Sequence, residues 1–245
     1  MLRAEFGAAL MLLTRLPAAW LVGGRPFPAA GSCLWAYPVI GALVGAVGGG
    51  VFEACRALSM PAMLASVWSW AAMALLTVAL HEDGLADLAD GFGGGGTRER
   101  KLEIMRDSRI GSYGVLAMVL AMAVRITALA ALPRVLPALI AAGALSRAAM
   151  SGPALLPAAR GDGLGVGLGG VGARAVAVSA AIGCAVSLAT LPVWAAVGAI
   201  AAAALSAAAV AMLAKSQIGG FTGDVLGGAA VVADCAVLTV LTCSA

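Results

Sequence analysis

The chain has 245 residues, of which 62% are apolar and only 11% charged, with a net charge of +3 and a mean hydropathy of +1.02. Soluble domains carry roughly 25% charged residues, so this composition excludes a soluble enzyme or a nucleic-acid-binding module. It implies an all-α, polytopic membrane bundle. No polar linker divides it, so residues 1–245 are read as one membrane-embedded domain.

In chain order, the first element is an amphipathic interfacial helix over Arg3–Leu21, because Glu5 and Arg15 interrupt what would otherwise resemble a signal peptide. Spans of about 20 apolar residues follow at 34–56, 60–80, 113–132, 134–153, 175–192, 193–214 and 226–244. Short turns near Pro61, Pro133 and Pro192 join three pairs. The connections 82–112, 154–174 and 215–225 are long and polar, and Gly161–Gly172 reads as a flexible glycine-rich loop. With seven spans, the N-terminus and all three long connections share one side. That side collects Arg3, Arg15, Arg25, Arg98, Arg100, Lys101, Arg106, Arg109, Arg160, Arg174 and Lys215, against Arg56 and Arg134 opposite. The positive-inside rule makes the basic side cytoplasmic. The five cysteines are odd in number and lack a CxxC spacing, so they read as small hydrophobes.

The chemistry concentrates in HEDGLADLADGFGGGGTRERKLEIMRDSRIGSYG, which holds seven of the chain's twelve acidic residues. Asp83, Asp87 and Asp90 recur at i, i+4 and i+7, which on a helix places them within about 60° of one face. Carboxylates that close repel unless a cation sits among them, and all-oxygen donors suit Mg²⁺ or Mn²⁺. Gly84 and Gly91 each follow an aspartate and would let a ligand approach the backbone. Gly93–Gly96 are expected to break the helix, with the amides of Gly93 and Gly94 free to meet phosphate oxygens. Thr97–Asp107 reads as a mixed-charge helix. Arg98, Arg106 and Arg109, with Asp107 between the last two, are candidates for phosphate binding. His81, the only histidine, is a candidate general base, or else orients a carboxylate or caps the helix. Asp224, in KSQIGGFTGDVLGG, opens the last span and Asp234 lies inside it. Arg125 and Arg147 are intramembrane partners for such carboxylates or for substrate phosphate.

Taken together, HEDGLADLADGFGGG and RERKLEIMRDSRIGSYGV closely resemble the signature of the cobalamin synthase family, the adenosylcobinamide-GDP ribazoletransferases. LTRLPAAW, YPVIGALVG and IGGFTGDVLGG resemble further blocks of that family in the same order. Glu82 and Asp234 depart from its usual residues. The resemblance implies transfer of α-ribazole or its 5′-phosphate onto adenosylcobinamide-GDP with release of GMP, Mg²⁺ as cofactor, and an inner-membrane location. It implies that metal sits on Asp83, Asp87 and Asp90, that His81 or a carboxylate takes the hydroxyl proton, and that Arg15 and Asp224 join the substrate-binding set. Ala- and Gly-rich helix faces permit association with a second copy, and a membrane location would allow clustering with other cobalamin-assembly enzymes. The alternatives are a CDP-alcohol phosphotransferase, whose Asp-Gly motif continues with Ala-Arg where this chain has Ala86-Asp87, and a transporter lined by the intramembrane charges.

Overall fold

In lipid, long runs of Ala, Leu, Val and Gly can satisfy their backbone only as helix. The computed structural model shows that outcome over the residues it describes, 1–24, 26–161, 167–168 and 170–244. Arg25 and half of the Gly161–Gly172 loop (162–166 and 169) therefore lie outside the described residues. Two short helices come first, α1 (Leu2–Leu13) and α2 (Ala19–Val22), then α3 (Ala36–Ala57), α4 (Ala62–Thr77), α5 (Leu80–Gly94) and α6 (Arg98–Ile104). The second half comprises α7 (Ser112–Ala131), α8 (Val135–Ala149), α9 (Ala173–Thr190), α10 (Val193–Ile218) and α11 (Gly223–Cys243). Ala158 and Phe221 form one isolated parallel bridge among the described residues. All five cysteines are free thiols.

Six stretches are long and apolar enough to cross a membrane, and α4 with α5 makes a seventh if counted as one broken span. Multi-pass membrane architecture follows. The expected continuous span over 60–80 is corrected: α4 stops at Thr77, and α5 leaves it at 90°. The bend is made by Val78 and Ala79, consecutive non-glycine residues in the left-handed region at φ 55° and 51°. A β-branched residue held there stores strain of about 1–3 kcal/mol. The expected helix over Arg3–Leu21 is also divided. Pro17 cannot continue a helix and disfavours helical backbone at Leu16, so Thr14 is extended and the Arg15 amide donates to the Leu76 carbonyl at 2.8 Å. The α1 segment is pinned to the bundle by Trp35, whose indole N–H donates to Glu5 at 2.8 Å.

The spine is the α3–α8 pair. Gly41 and Gly45 on α3 meet Gly143 and Leu139 on α8 so closely that a Cβ added at Gly41 would stand 2.0 Å from the Gly143 carbonyl oxygen, and one at Gly45 2.0 Å from that of Leu139. Without a hydrophobic drive between helices in lipid, such close backbone packing is what holds them together. The short turns at Leu132–Arg134 and Thr190–Pro192 meet the C-terminal end of α11 in a common crevice. The opposite end gathers the end of α1, the start of α3, α5, the 150–160 segment and the start of α11.

Gly41→Val should drive a side chain into the α8 backbone and cost about 1–3 kcal/mol or more, lowering the thermal midpoint of the purified protein in lipid nanodiscs. Gly50→Ala, on the same helix but with nothing within 4 Å of the added methyl, should leave that midpoint unchanged or raise it slightly.

Candidate active site

The site is built where α5 crosses α11. Gly84 and Gly227 face each other so closely that a Cβ on Gly84 would lie 3.2 Å from both the Gly227 Cα and the Asp224 carbonyl oxygen. This approach brings Asp83, at the exposed edge of α5, into one cavity with Asp224 in the first turn of α11. Gly84 is thus spent on helix packing, and Gly91 likewise faces Met105 of the turn after α6. Neither is open to a ligand as expected from sequence.

Arg160 completes the group. The Ala159 amide donates to the Phe221 carbonyl at 2.8 Å and the Phe221 amide to Pro157 at 3.0 Å. The bridge delivers Arg160 to Asp224, whose Oδ2 accepts from Nη2 at 3.2 Å and from the Thr222 hydroxyl at 3.1 Å. Asp87, half-buried one turn beyond Asp83, lies within electrostatic reach of Asp83, Asp224, Asp90 and Arg160.

Asp90 has another task. Its Oδ2 accepts from the Gly111 amide at 2.6 Å and its Oδ1 from the Gly114 amide at 2.9 Å. These are orphan donors at the start of α7, where the helix dipole favours a carboxylate. A Cβ on Gly111 or on Gly114 would stand 2.4 Å from an Asp90 oxygen, which accounts for both glycines of IGSYG. Both Asp90 oxygens are engaged, so the geometry groups Asp83 and Asp87 with Asp224 rather than with Asp90.

The glycine run ends α5 as expected, with Gly95 extended, but the use expected of its first two amides is corrected. Helix α5 continues through Gly94, and the Gly95 amide still donates to Gly91. Gly93 lies against the Tyr113 ring, with 2.6 Å left for a Cβ, and Gly95 against Lys101. The amides of Gly93 and Gly94 serve the helix and do not form a phosphate cradle. Arg98 is corrected too: its Nε donates to Ile218 at 2.9 Å and its Nη2 to Ala159 at 2.7 Å, fastening α6 to the end of α10. Lys101 adds a bond to Gln217. Arg106 and Arg109 are exposed after α6, Arg109 in a 2.6 Å ion pair with Asp107. That hydrogen-bonded pair holds the Asp107 carboxyl down at about 2. Arg15 is exposed beside a second cavity rather than inside it.

Beneath the site the intramembrane charges close on one another. Arg125, 2% exposed, donates from Nη1 to Glu82 at 2.7 Å and from Nε to Asp234 at 2.9 Å, with its guanidinium carbon 4.1 Å from the centre of the Trp70 ring. Arg147 donates to the Ser146 hydroxyl at 2.9 Å, near the same acids. The arrangement is a neutralised knot rather than the lining of a transport path.

Two cavities flank Asp83. One, of about 300 Å³, is lined by His81, Asp83, Asp224, Arg160, Tyr37 and aliphatic residues. The other, of about 500 Å³, lies between the end of α1 and the α4–α5 bend, and Asp83 lines it as well. His81 is 2% exposed, with neither ring nitrogen hydrogen-bonded among the described residues. Asp83, Asp87 and Asp224 offer only hard oxygen donors, which suits Mg²⁺ in kind. Among the described residues no three His, Cys, Asp or Glu side chains already converge as a metal site. Tyr37 and Arg160 were not singled out as site residues from sequence. Tyr37 carried no signal beyond YPVIGALVG, and Arg160 only its place among the basic residues of one side.

A family model described as cobalamin-5-phosphate synthase matches residues 5–242. A Bradyrhizobium diazoefficiens protein named adenosylcobinamide-GDP ribazoletransferase is 46% identical over 233 residues, covering 91% of this chain and 87% of the relative. Proteins of the same name from Azorhizobium caulinodans and Mesorhizobium japonicum are each 42% identical, covering 91% and 96% of this chain and 89% and 92% of their own lengths. No solved structure matches.

Arg125→Met should strand Glu82 and Asp234 as unpaired buried charges. Breaking a buried pair in this way costs about 3–5 kcal/mol. The expected readout is a large fall in thermal midpoint, partly recovered in the triple variant Arg125→Met, Glu82→Gln, Asp234→Asn.

Proposed function

The chain belongs to the cobalamin-5-phosphate synthase family, and we propose that it joins α-ribazole or its 5′-phosphate to adenosylcobinamide-GDP, releasing GMP, at the last assembly step of cobalamin biosynthesis. The observation that carries this reading is the meeting of Asp83, Asp224, Arg160 and His81 at one cavity, with Asp87 close behind and Asp83 shared with a second cavity. A two-substrate transfer needs neighbouring berths with the reacting groups between them, and Asp83 stands at that junction.

Such a transfer depends on positioning and charge neutralisation more than on covalent help from the protein. In the proposed reaction the ribazole hydroxyl attacks the corrin-linked phosphoryl group, and GMP leaves. A carboxylate of the cluster or His81 accepts the hydroxyl proton; His81 lines the smaller cavity with neither ring nitrogen hydrogen-bonded among the described residues. Asp83 and Asp87, joined by Asp224, would hold Mg²⁺, which when bound neutralises diphosphate charge. Arg160 orients Asp224 through their 3.2 Å bond. Arg106 and Arg109, exposed in the turn after α6, are assigned to phosphate capture, with Arg109 exchanging Asp107 for substrate.

We also place the site on the cytoplasmic face of the inner membrane. The basic residues of α1, α6, the turn after α6, Arg160 and Arg174 gather at the site end, and Arg134 lies at the other, which is the bias the positive-inside rule describes.

The test is turnover by purified protein in nanodiscs with adenosylcobinamide-GDP, α-ribazole phosphate and Mg²⁺, following GMP and the corrin product by chromatography. Asp83→Asn and Asp87→Asn should each lower kcat by roughly 100-fold or more with the thermal midpoint kept. Asp90→Ala should instead lower the midpoint, since the buried Gly114 amide loses its acceptor at about 1–3 kcal/mol and the part-buried Gly111 amide loses its own. Full activity in both Asp83 and Asp87 variants would refute the assignment.

A further inference from the structure

The cavity of about 300 Å³ has two chemically distinct walls. One is the charged edge already described. The other is aliphatic, made by Leu13, Met150, Leu168 and Leu226, with Tyr37 set among them. Tyr37 is 1% exposed, and its hydroxyl has no hydrogen-bond partner among the described residues. His81, on the same cavity, is in the same condition. An unsatisfied buried polar group costs about 1–3 kcal/mol, and two such side chains, Tyr37 and His81, line this one recess. Groups buried and unpaired around an apolar recess are what a binding site for a mostly apolar ligand with a few polar atoms requires.

Size selects between the two substrates. Ligand pockets run from about 300 to 1,000 Å³, so this recess is at the small end. It has room for a nucleoside and none for a corrin ring system. Ribazole is a benzimidazole riboside. Its bicyclic base is apolar along its outer edge and has one unsubstituted ring nitrogen that accepts a hydrogen bond. A purine in the same place would press several polar ring atoms against leucine and methionine and leave them unpaired, at a cost in binding.

Resting on the function proposed above, we infer that this recess seats the benzimidazole base of the ribazole, with the Tyr37 hydroxyl donating to the ring nitrogen and the aliphatic wall excluding purine nucleosides. The ribose then points to His81 and the carboxylate edge, and Asp83 lies between the nucleoside and the second cavity. Tyr37 is a specificity-determining residue that touches substrate away from the reacting atoms.

The experiment is steady-state kinetics of full-length protein in nanodiscs with Mg²⁺, varying each substrate at saturation of the other. Tyr37→Phe removes only a hydroxyl that is unsatisfied in the protein alone, so a structural role would leave ribazole kinetics untouched. The expected result is a rise of about tenfold in KM for α-ribazole, with KM for adenosylcobinamide-GDP and the thermal midpoint within error of wild type. Leu226→Phe, which adds volume to the recess wall, should raise the same KM. An indole riboside, with C–H in place of the ring nitrogen, should lose about as much against wild type as Tyr37→Phe does, and nothing further against Tyr37→Phe. Unchanged ribazole KM in both variants, or additive losses for the indole analogue, overturns the inference while leaving the transferase reading intact. Absence of turnover by folded wild-type protein overturns that reading, and this one with it.

Discussion

Arg125 carries a guanidinium into the interior of a membrane bundle, where an unpaired charge is not tolerated. It is held by Glu82 from the first turn of α5, by Asp234 from the middle of α11 and by the face of Trp70 from α4. Four helices are thereby committed to one arrangement, because Arg125 itself belongs to α7. Glu82 is the residue immediately before Asp83. The knot that neutralises the membrane interior therefore also sets the rotation of α5 about its axis, and with it the direction in which Asp83 and Asp87 project. Stability and the geometry of the candidate site share a single set of contacts.

Small residues do the complementary work. Gly84 against Gly227 draws α5 onto α11, Gly91 admits Met105, and Gly93 admits the Tyr113 ring. Helix α5 is thus walled by α11, by the turn after α6 and by α7, and Asp83 lies on an edge that stays exposed. Glycines placed beside aspartates suggest ligand contact when seen in one dimension. In three dimensions they are where neighbouring elements come close enough for distant carboxylates to share a cavity.

That contrast marks what was legible in the sequence. The spans were readable because apolar length is a local property, and the motif from His81 to Gly114 because its acids stand out from an apolar background. The anchoring of the start of α7 by Asp90 was not readable, since its partners are the amides of Gly111 and Gly114 and no side chain records them. Arg98 looked like a phosphate binder because arginine usually is one near glycine and aspartate. Its carbonyl partners, Ile218 and Ala159, are remote in the chain. Tyr37 and Arg160 entered the site only through the packing of α3 and the bridge at Phe221, neither of which has a sequence pattern. The bend at Val78–Ala79 was hidden because residues that prefer other backbone conformations are held there by tertiary context.

The shortness of α4 has a consequence for the surrounding lipid. Its 16 residues rise about 24 Å, whereas a bilayer core is about 30 Å thick. Met63, Leu64, Val67, Trp68 and Leu75 are exposed along it, so this flank faces acyl chains directly. A helix about 6 Å short of that core is a mismatch, which bilayers meet by local thinning or by snorkelling of the flanking residues, and the flank beside the α4–α5 bend is where that adjustment falls.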